Sequence, residues 1–273
     1  MEIRSVNNPK VKQWAELMTK KGRDKQEKFL TEGIHLVQEA LASGARIEAL
    51  IYSLERGFPD EVDRGMIESG RPLEIFGVAE AVLSKITDAR SPQGVCAVIE
   101  KPGIPLETLL KSEPSLAVLV DGVQDPGNLG TIIRSADAVG ADAVIVGQGT
   151  VDVYNPKTVR STMGSLFHIP VVEADLPQLL HSMQSEPIQI VNTSLQAQMS
   201  CYEADFTRRT WFLVGNEAGG VSAEAAQYAD THIKIPMHGQ AESLNVAMAT
   251  TVLLYEALRQ RHYPTQINSY QSK

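Results

Sequence analysis

The sequence has 273 residues and is 43% hydrophobic, which is enough for two domains with buried cores. It has no apolar run near the roughly 20 residues that span a bilayer and no secretory signal, so we expect no membrane contact and a cytoplasmic location. The net charge of −8 argues against a general nucleic-acid binder, although residues 1–28 carry eight basic and four acidic side chains.

The first hundred residues alternate between predicted helices and strands. Asn8 and Pro9 are a typical N-cap and first-turn pair for a helix that Gly22 would end. Further strands are predicted over 29–32, 47–52, 72–76 and 94–99, and further helices over 34–42, 59–69 and 79–85. This alternation predicts a small α/β domain over residues 1–100, followed by a linker over residues 101–114 that is rich in Pro and Gly.

From residue 115 the alternation restarts with more apolar strands. Residues 116–120 form a continuous apolar run, as expected for a strand buried on both faces of a parallel sheet, and a helix is predicted to begin near Asn128. Further strands are predicted over 143–146, 167–172, 188–191, 211–214 and 231–235, and further helices after Asn155, over 176–183 and over 243–261. The pattern predicts a parallel-sheet domain over residues 115–262 with a flexible tail at 263–273.

The last predicted helix has Ser243 as its N-cap and is apolar almost all round. Such a helix should pack on two sides, against its own sheet and against a second element such as another subunit. The polar residues Glu242, Ser243 and Asn245 gather at its start, where free backbone N–H groups are available, so this start is a candidate site. The alternative is an ordinary capped core helix.

Three unusual loops follow predicted strands, at the sheet edge where open parallel sheets bind ligands. The first carries Asn128, with Arg134 nearly two turns further along the helix. The second places Glu217 between glycines that let a ligand approach the backbone, and the third covers residues 235–245. No phosphate-binding P-loop or complete dinucleotide fingerprint is present, which disfavours a nicotinamide oxidoreductase. The scattered histidines and the isolated Cys residues predict no metal site.

Together the three loops resemble the motifs of the SpoU (TrmH) RNA 2′-O-ribose methyltransferases of the SPOUT superfamily. The matching segments are NLGTIIRSA at 128–136, VGNEAGG at 214–220, and IPMHG at 235–239 followed by SLNVA at 243–247. Their order, spacing and residue identity all agree with that family.

The resemblance extends beyond these loops. NPK at 155–157 through GSLF at 164–167 resembles the intervening segment of the family, so that the similarity covers about residues 115–261. FLTEG at 29–33, before a helix, resembles the ribosomal-protein-like substrate-binding domain that many members carry.

The resemblance implies S-adenosylmethionine (AdoMet) as methyl donor, a trefoil-knotted C-terminal domain and a homodimer formed through that domain. The positions that match cofactor-binding residues are Thr193, Gly215, Ile235, Met237 and Leu244. The positions that match catalytic residues are Asn128, Arg134, Glu217, Ser243 and Asn245.

Arg134 matches the residue proposed as the base that removes the proton of the ribose hydroxyl. A guanidinium group has a pKa of about 12.5 or above, whereas a base needs a neutral form. The alternative is that Arg134 binds phosphate or stabilises the developing alkoxide while another group or water takes the proton.

We therefore expect an AdoMet-dependent RNA 2′-O-methyltransferase. Ribosomal RNA is favoured over tRNA because the additional N-terminal domain suits a structured target. The alternatives are a tRNA enzyme and a catalytically idle RNA-binding relative. The basic N-terminal segment is expected to meet RNA phosphate, with a solvated helix face as the equally weighted alternative.

Overall fold

The computed structural model describes residues 1–62, 67, 73–88 and 93–263. The chain forms two compact units. The first comprises Met1–Ile104, Asp125–Arg134 and Val151–Pro170, and the second comprises Pro105–Gln124, Ser135–Thr150 and Val171–Lys273. None of the described helices is long and apolar enough to cross a membrane.

The first unit contains a five-stranded mixed sheet in the order β1-β4-β3-β5-β2. Its strands are β1 (Glu2–Ile3), β2 (Lys28–Glu32), β3 (Ile47–Ser53), β4 (Glu74–Val78) and β5 (Val95–Glu100). Strands β1, β4 and β3 pair in parallel, whereas β5 pairs with both β3 and β2 in antiparallel. Its helices include α1 (Pro9–Glu16), α2 (Lys20–Gln26), α3 (Ile34–Ala42) and α4 (Glu80–Ile86). The predicted α/β character is confirmed.

Helix α1 begins as predicted but ends earlier. The Asn8 side chain accepts a hydrogen bond from the Lys10 N–H, and Pro9 occupies the first turn. The prediction that Gly22 ends this helix is wrong, because Gly22 lies inside α2. A Cβ atom at Gly22 would lie 1.9 Å from the carbonyl oxygen of Glu16, so the glycine allows α2 to pack closely on the end of α1.

The second unit contains a seven-stranded sheet in the order β10-β12-β9-β11-β6-β7-β8, in which all the neighbouring strands pair in parallel. Its strands are β6 (Leu116–Asp121), β7 (Ala143–Gly147), β8 (Val171–Ala174), β9 (Gln189–Thr193), β10 (Met199–Ser200), β11 (Thr210–Gly215) and β12 (Thr231–Lys234). Its helices are α5 (Leu106–Lys111), α8 (Leu176–Met183), α9 (Ala223–Ala226) and α10 (Val246–His262). The predicted parallel sheet is confirmed, and the first five residues of β6 are buried as its apolar run predicts.

Helix α6 (Pro126–Ala138) follows β6 and continues from the first unit into the second. Helix α7 (Pro156–Thr162) and a 3-10 turn (Ser165–Phe167) belong to the first unit.

Two predicted elements differ from the structure. The linker predicted over residues 101–114 contains α5, whose Leu109 is buried. The strand predicted over residues 167–172 is wrong in its first half, because Ser165–Phe167 forms the 3-10 turn and β8 begins at Val171. The helix predicted over residues 59–69 and the predicted tail lie largely outside the described residues. The domain boundaries and the trefoil knot stay predictions.

Candidate active site

Three predicted cofactor-binding residues lie at one edge of the parallel sheet. Thr193 ends β9 and pairs with Ile233 of β12, and Gly215 ends the neighbouring strand β11. Ile235 follows the last residue of β12 directly. Because the carboxyl ends of parallel strands meet at the same edge, the sheet order brings these three positions together.

The loop after β11 is a closed turn that Asn216 organises. Its side-chain oxygen accepts hydrogen bonds from the N–H groups of Ala218 (2.8 Å) and Gly219 (3.1 Å). The backbone groups of Asn216 and Gly220 exchange two hydrogen bonds of 2.9 Å. The prediction that the glycines leave room for a ligand did not assign any role to Asn216.

Gly215 is required by this loop itself. The residue is buried, and a Cβ atom there would lie 2.1 Å from the backbone carbon of Gly220 and from the backbone nitrogen of Val221. The glycine therefore permits the turn to fold back on its own strand. At Gly219 of the same loop, a Cβ atom would meet nothing within 4 Å.

Two hydrogen bonds fasten this loop to the loop that follows β6. The Asn216 side-chain amide donates to the carbonyl oxygen of Gly122 at 2.7 Å. The Glu217 carboxylate accepts the N–H of Gln124 at 3.1 Å, while most of the Glu217 side chain stays exposed. The predicted catalytic Glu217 thus links the loop after β11 to the loop after β6.

Two further contacts shape the same edge. The Asp121 carboxylate accepts the Ser222 N–H at 2.7 Å, at the end of the loop after β11. The Thr150 hydroxyl accepts the Gly122 N–H at 3.0 Å and donates to the Val120 carbonyl oxygen at 3.2 Å. Sequence reasoning missed Asp121 and Thr150, because their partners are distant in the sequence.

The start of α10 corrects the predicted cap. The Asn245 side chain, rather than Ser243, accepts hydrogen bonds from the N–H groups of Ala247 (2.9 Å) and Met248 (3.3 Å). Asn and Ser are equally good N-caps, so their intrinsic preferences could not decide between two positions two residues apart. Ser243 lies outside the helix and is exposed.

Three apolar residues of the third loop face solvent in part. Ile235 and Met237 are half-buried, and Leu244 is 39% exposed. Apolar side chains left partly open at a ligand-binding edge are typical of positions that a ligand covers.

Asn128 and Arg134, the other two predicted catalytic residues, lie on α6 in the first unit. Asp125 caps this helix, because its carboxylate accepts the Asn128 N–H at 2.9 Å and its carbonyl oxygen accepts the Leu129 N–H at 3.1 Å. The helix therefore begins at Pro126, two residues before the predicted start. The ion pair with Lys157 Nζ, 3.0 Å away, lowers the pKa of Asp125 below its usual value.

Arg134 is exposed and forms no ion pair within the described part of the chain. One turn before it, a Cβ atom at Gly130 would lie 2.4 Å from the Cβ atom of Ser161 and 2.8 Å from the carbonyl oxygen of Thr158. Helix α6 therefore packs so closely against α7 at this point that a larger residue than glycine would not fit without a shift. Helix α7 itself is capped by Asn155 as predicted, through a hydrogen bond from the Lys157 N–H.

In the described ranges, no group of three or more His, Cys, Asp or Glu side chains is placed to hold a metal ion.

A parallel sheet with glycine-bearing loops after neighbouring strands defines an α/β protein, and this edge is where such sheets generally bind small organic ligands. Residues 115–255 match the model of the SpoU rRNA Methylase family, and residues 8–97 match that of the MRM3-like substrate binding domain. The chain belongs to the SpoU rRNA methylase family, as the resemblance of its three loops predicts.

The similarity to characterised proteins covers nearly the whole chain. The chain is 41% identical to the 23S rRNA (guanosine(2553)-2′-O)-methyltransferase RlmP of Bacillus subtilis, over 93% of this chain and 98% of that protein. It resembles the SpoU methyltransferase AviRb of Streptomyces viridochromogenes in complex with AdoMet, with a TM-score of 0.85 and 34% identity over 93% of this chain and 98% of that one. The AdoMet-bound rRNA methyltransferase of Sinorhizobium meliloti gives a TM-score of 0.84 and 36% identity over 95% of this chain and 98% of that one.

Proposed function

We propose that this chain transfers the methyl group of AdoMet to the 2′-hydroxyl of a ribose in ribosomal RNA. The observation that carries the proposal is its membership of the SpoU family with relatives of nearly equal length that are named rRNA 2′-O-methyltransferases. Two solved relatives hold AdoMet. This function replaces the nicotinamide oxidoreductase that the missing dinucleotide fingerprint already disfavours.

The edge of the parallel sheet fits AdoMet. The half-exposed Ile235, Met237 and Leu244 offer apolar surface for an adenine ring, and the closed turn after Gly215 offers backbone groups. Thr193 ends the neighbouring strand β9. AdoMet supplies an electrophilic sulfonium methyl group when it is bound, so the tasks of the chain are to bind it, to orient the ribose and to stabilise the oxygen that attacks.

We assign roles to the catalytic candidates from their surroundings. Arg134 carries a guanidinium with no ion-pair partner among the described residues, so it is available to bind RNA phosphate or to stabilise the developing alkoxide. Because guanidinium is a poor base, we assign the proton to water or to another group. Asn128 would orient the ribose, and Ser243 would contact the substrate from its exposed loop position.

The other two catalytic candidates, Glu217 and Asn245, hydrogen-bond to backbone groups around the site. Glu217 holds the loop after β6 through the Gln124 N–H, and Asn245 fixes the start of α10 through its capping bonds. We therefore treat both as residues that shape the site.

We further propose a division of labour along the chain. Residues 1–100 would bind the RNA, residues 115–262 would carry the methyltransferase domain with its trefoil knot, and residues 101–114 would join them. We also propose a cytoplasmic location, because the proposed substrate is ribosomal RNA.

Only part of the basic N-terminal segment is proposed to contact RNA phosphate. Six of its eight basic side chains form ion pairs with acidic ones: Arg4, Lys10, Lys20, Arg23, Lys25 and Lys28. Arg23 is buried against Asp152, so its guanidinium is not available for RNA phosphate. Lys12 and Lys21 are exposed and have no ion pair within the described ranges, which makes them the better candidates for phosphate contact.

A homodimer through α10 is also proposed. The inner face of the helix is buried, whereas Met248 is 52% and Tyr255 is 49% exposed on the other side. A second copy of the chain would cover these large apolar side chains.

The proposed activity is tested by incubating the purified protein with AdoMet and with either deproteinised rRNA or bulk tRNA, and by mapping 2′-O-methyl groups at nucleotide resolution. We expect one new methylated ribose in the large-subunit rRNA. Methylation of tRNA alone would favour the tRNA alternative. AdoMet binding without methylation of either RNA would favour the idle relative.

A further inference from the structure

Arg23 and Asp152 form a buried ion pair within the first unit. The two side chains are 3% and 7% exposed. Arg23 donates from Nε (2.9 Å) and Nη2 (2.5 Å) to the same carboxylate oxygen, and its Nη1 donates to the carbonyl oxygen of Leu17 at 2.8 Å. Three directional bonds therefore fix the guanidinium of α2 against a residue that lies 129 positions later in the sequence.

Asp152 organises the turn that leads into α7. Its second carboxylate oxygen accepts the Tyr154 N–H at 2.9 Å. Its carbonyl oxygen accepts the Asn155 N–H at 3.0 Å and the Thr158 hydroxyl at 3.2 Å. Because Asn155 caps α7, the carboxylate that Arg23 holds also sets where this helix starts.

A second cation attaches α7 to the N-terminal sheet. Arg160 pairs with Asp88 and lies 3.8 Å from the Glu32 carboxylate, whose side chain is only 8% exposed. The ring of Phe29, on the same strand β2 as Glu32, packs against the ring of Tyr154 with centroids 4.8 Å apart. Helix α7 is thus held at both ends by the domain that matches the substrate-binding model.

From α7 the contact continues to α6. Gly130 brings the two helices together over Ser161 and Thr158, and Arg134 follows one turn further along α6. If α7 moved, it would push directly on the backbone of α6, because no long side chain separates the two helices at Gly130. Closely packed elements transmit such displacements because protein interiors have little room to yield.

Burial of an ion pair needs an explanation other than stability. The cost of removing both charges from water usually cancels their attraction, and apolar residues of similar size are often as stable or more stable in their place. What an apolar pair cannot reproduce is the fixed direction of three guanidinium hydrogen bonds.

We propose that Arg23 and Asp152 are positioning residues for methyl transfer. They set the orientation of α7 on the N-terminal domain and, through the Gly130 contact, the orientation of α6 and its Arg134. The inference rests on the proposed function. It predicts that the pair controls the rate of the methyl-transfer step and the choice of nucleotide, while AdoMet affinity does not depend on it.

The test replaces both partners by apolar residues of similar size, as Arg23→Met with Asp152→Leu. The matched control is Arg46→Met with Glu100→Leu, which makes the same chemical change at an exposed ion pair of the same unit. We measure the melting temperature, AdoMet affinity by calorimetry, RNA affinity, the single-turnover methylation rate and the methylated position. The apolar variant should stay folded and bind both ligands normally, with a lower melting temperature because the Tyr154 N–H and the Leu17 carbonyl oxygen lose their partners.

The single-turnover rate of this variant should fall by about 10- to 100-fold, the size expected when reacting groups are misplaced by about 1 Å. Methylation should also spread to neighbouring nucleotides. The control should match the wild type in every measurement. A folded variant with a wild-type rate and a single methylated position would overturn the proposal, as would a loss of AdoMet affinity equal to the loss of rate.

If the apolar variant does not fold, the Arg23→Lys variant tests the proposal instead. This variant keeps the charge and loses the fork of donors, so the rate should fall while AdoMet affinity holds. A wild-type rate for Arg23→Lys would then reject the role of the pair. Failure of the proposed function itself would be seen separately, as a wild-type protein that methylates no RNA.

Discussion

The side-chain amide of Asn216 donates a hydrogen bond of 2.7 Å to the carbonyl oxygen of Gly122, which joins the loops after two neighbouring strands. The same side chain closes its own turn with two bonds from backbone N–H groups. One residue therefore makes three hydrogen bonds at the edge proposed to bind AdoMet, each worth about 1 kcal/mol net.

Asn216→Ala should therefore loosen both loops. We expect AdoMet affinity in calorimetry to fall by roughly tenfold or more, because about 1.4 kcal/mol corresponds to a tenfold change in affinity. Gln184→Ala removes an exposed amide of the same unit and should leave the affinity unchanged. Equal affinities for wild type and Asn216→Ala would show that the loops hold their shape without this side chain.

Gly215→Ala and Gly219→Ala make the same change at two positions of one loop. At Gly215 the added methyl group would lie 2.1 Å from two backbone atoms, whereas at Gly219 it would meet nothing within 4 Å. We expect Gly215→Ala to destabilise the protein by about 1–3 kcal/mol, the usual cost of overpacking, and to weaken AdoMet binding. Gly219→Ala should behave as wild type in thermal melts and calorimetry. Similar melting curves for both variants would contradict this reading of the loop.

Arg134→Ala should separate chemistry from cofactor binding. Because Arg134 is exposed and makes no ion pair with the described residues, its loss should leave the fold and AdoMet affinity nearly unchanged. Methyl transfer to rRNA should fall by at least about 100-fold, the effect of removing one group that stabilises a developing oxyanion. Arg134→Lys keeps the charge and should retain part of the rate if the role is electrostatic. A loss of AdoMet affinity in either variant would show that the residue belongs to the cofactor site.

The outer face of α10 predicts a dimer. A charge at Tyr255, which is 49% exposed, should disrupt an apolar interface, so Tyr255→Asp should convert a dimer into a monomer in light scattering at micromolar concentration. Tyr202→Asp is the control, since Tyr202 is 61% exposed outside this helix. A wild-type protein that is monomeric throughout would remove the interface from the proposal.

Elements with strong local patterns were predictable from the sequence. Helices α3 and α8 have the predicted bounds, because apolar residues recur at helical spacing between clear end signals. The buried strand β6 was predictable from its continuous run of apolar residues. Helix α5 was missed because only one of its six residues is buried, and the neighbouring Pro and Gly residues dominated the pattern.

The geometry of the site was less predictable than its location. The sequence places loops at the carboxyl edge, but the partners of Asn216 and Asp121 come from loops about 100 residues away. The burial of Arg23 was missed for the same reason, since Asp152 lies 129 residues from it and the local sequence is uniformly polar. Charge counted along the chain carries no information about such distant partners.

The lysines of the N-terminal segment differ in whether acidic neighbours already pair with them. Lys12 and Lys21 are exposed without ion pairs within the described ranges, whereas Lys20 lies 3.4 Å from Asp24 and Lys25 lies 3.6 Å from Glu16. Each lysine that neutralises an RNA phosphate releases counterions, which makes log affinity fall with log salt by about 0.7–0.9 per contact. The unpaired lysines should therefore contribute more to the salt dependence.

Lys12→Gln with Lys21→Gln should weaken RNA binding at low salt and lower the slope of log affinity against log salt by up to about 1.4–1.8, with AdoMet affinity intact. Lys20→Gln with Lys25→Gln removes the same charge from lysines that already have acidic partners, and should change the slope less. Filter binding or fluorescence anisotropy across a salt series measures both. An unchanged slope for the first variant would show that these lysines form a solvated helix face, and RNA phosphate would then have to be met elsewhere, for example by Arg134 and Lys157.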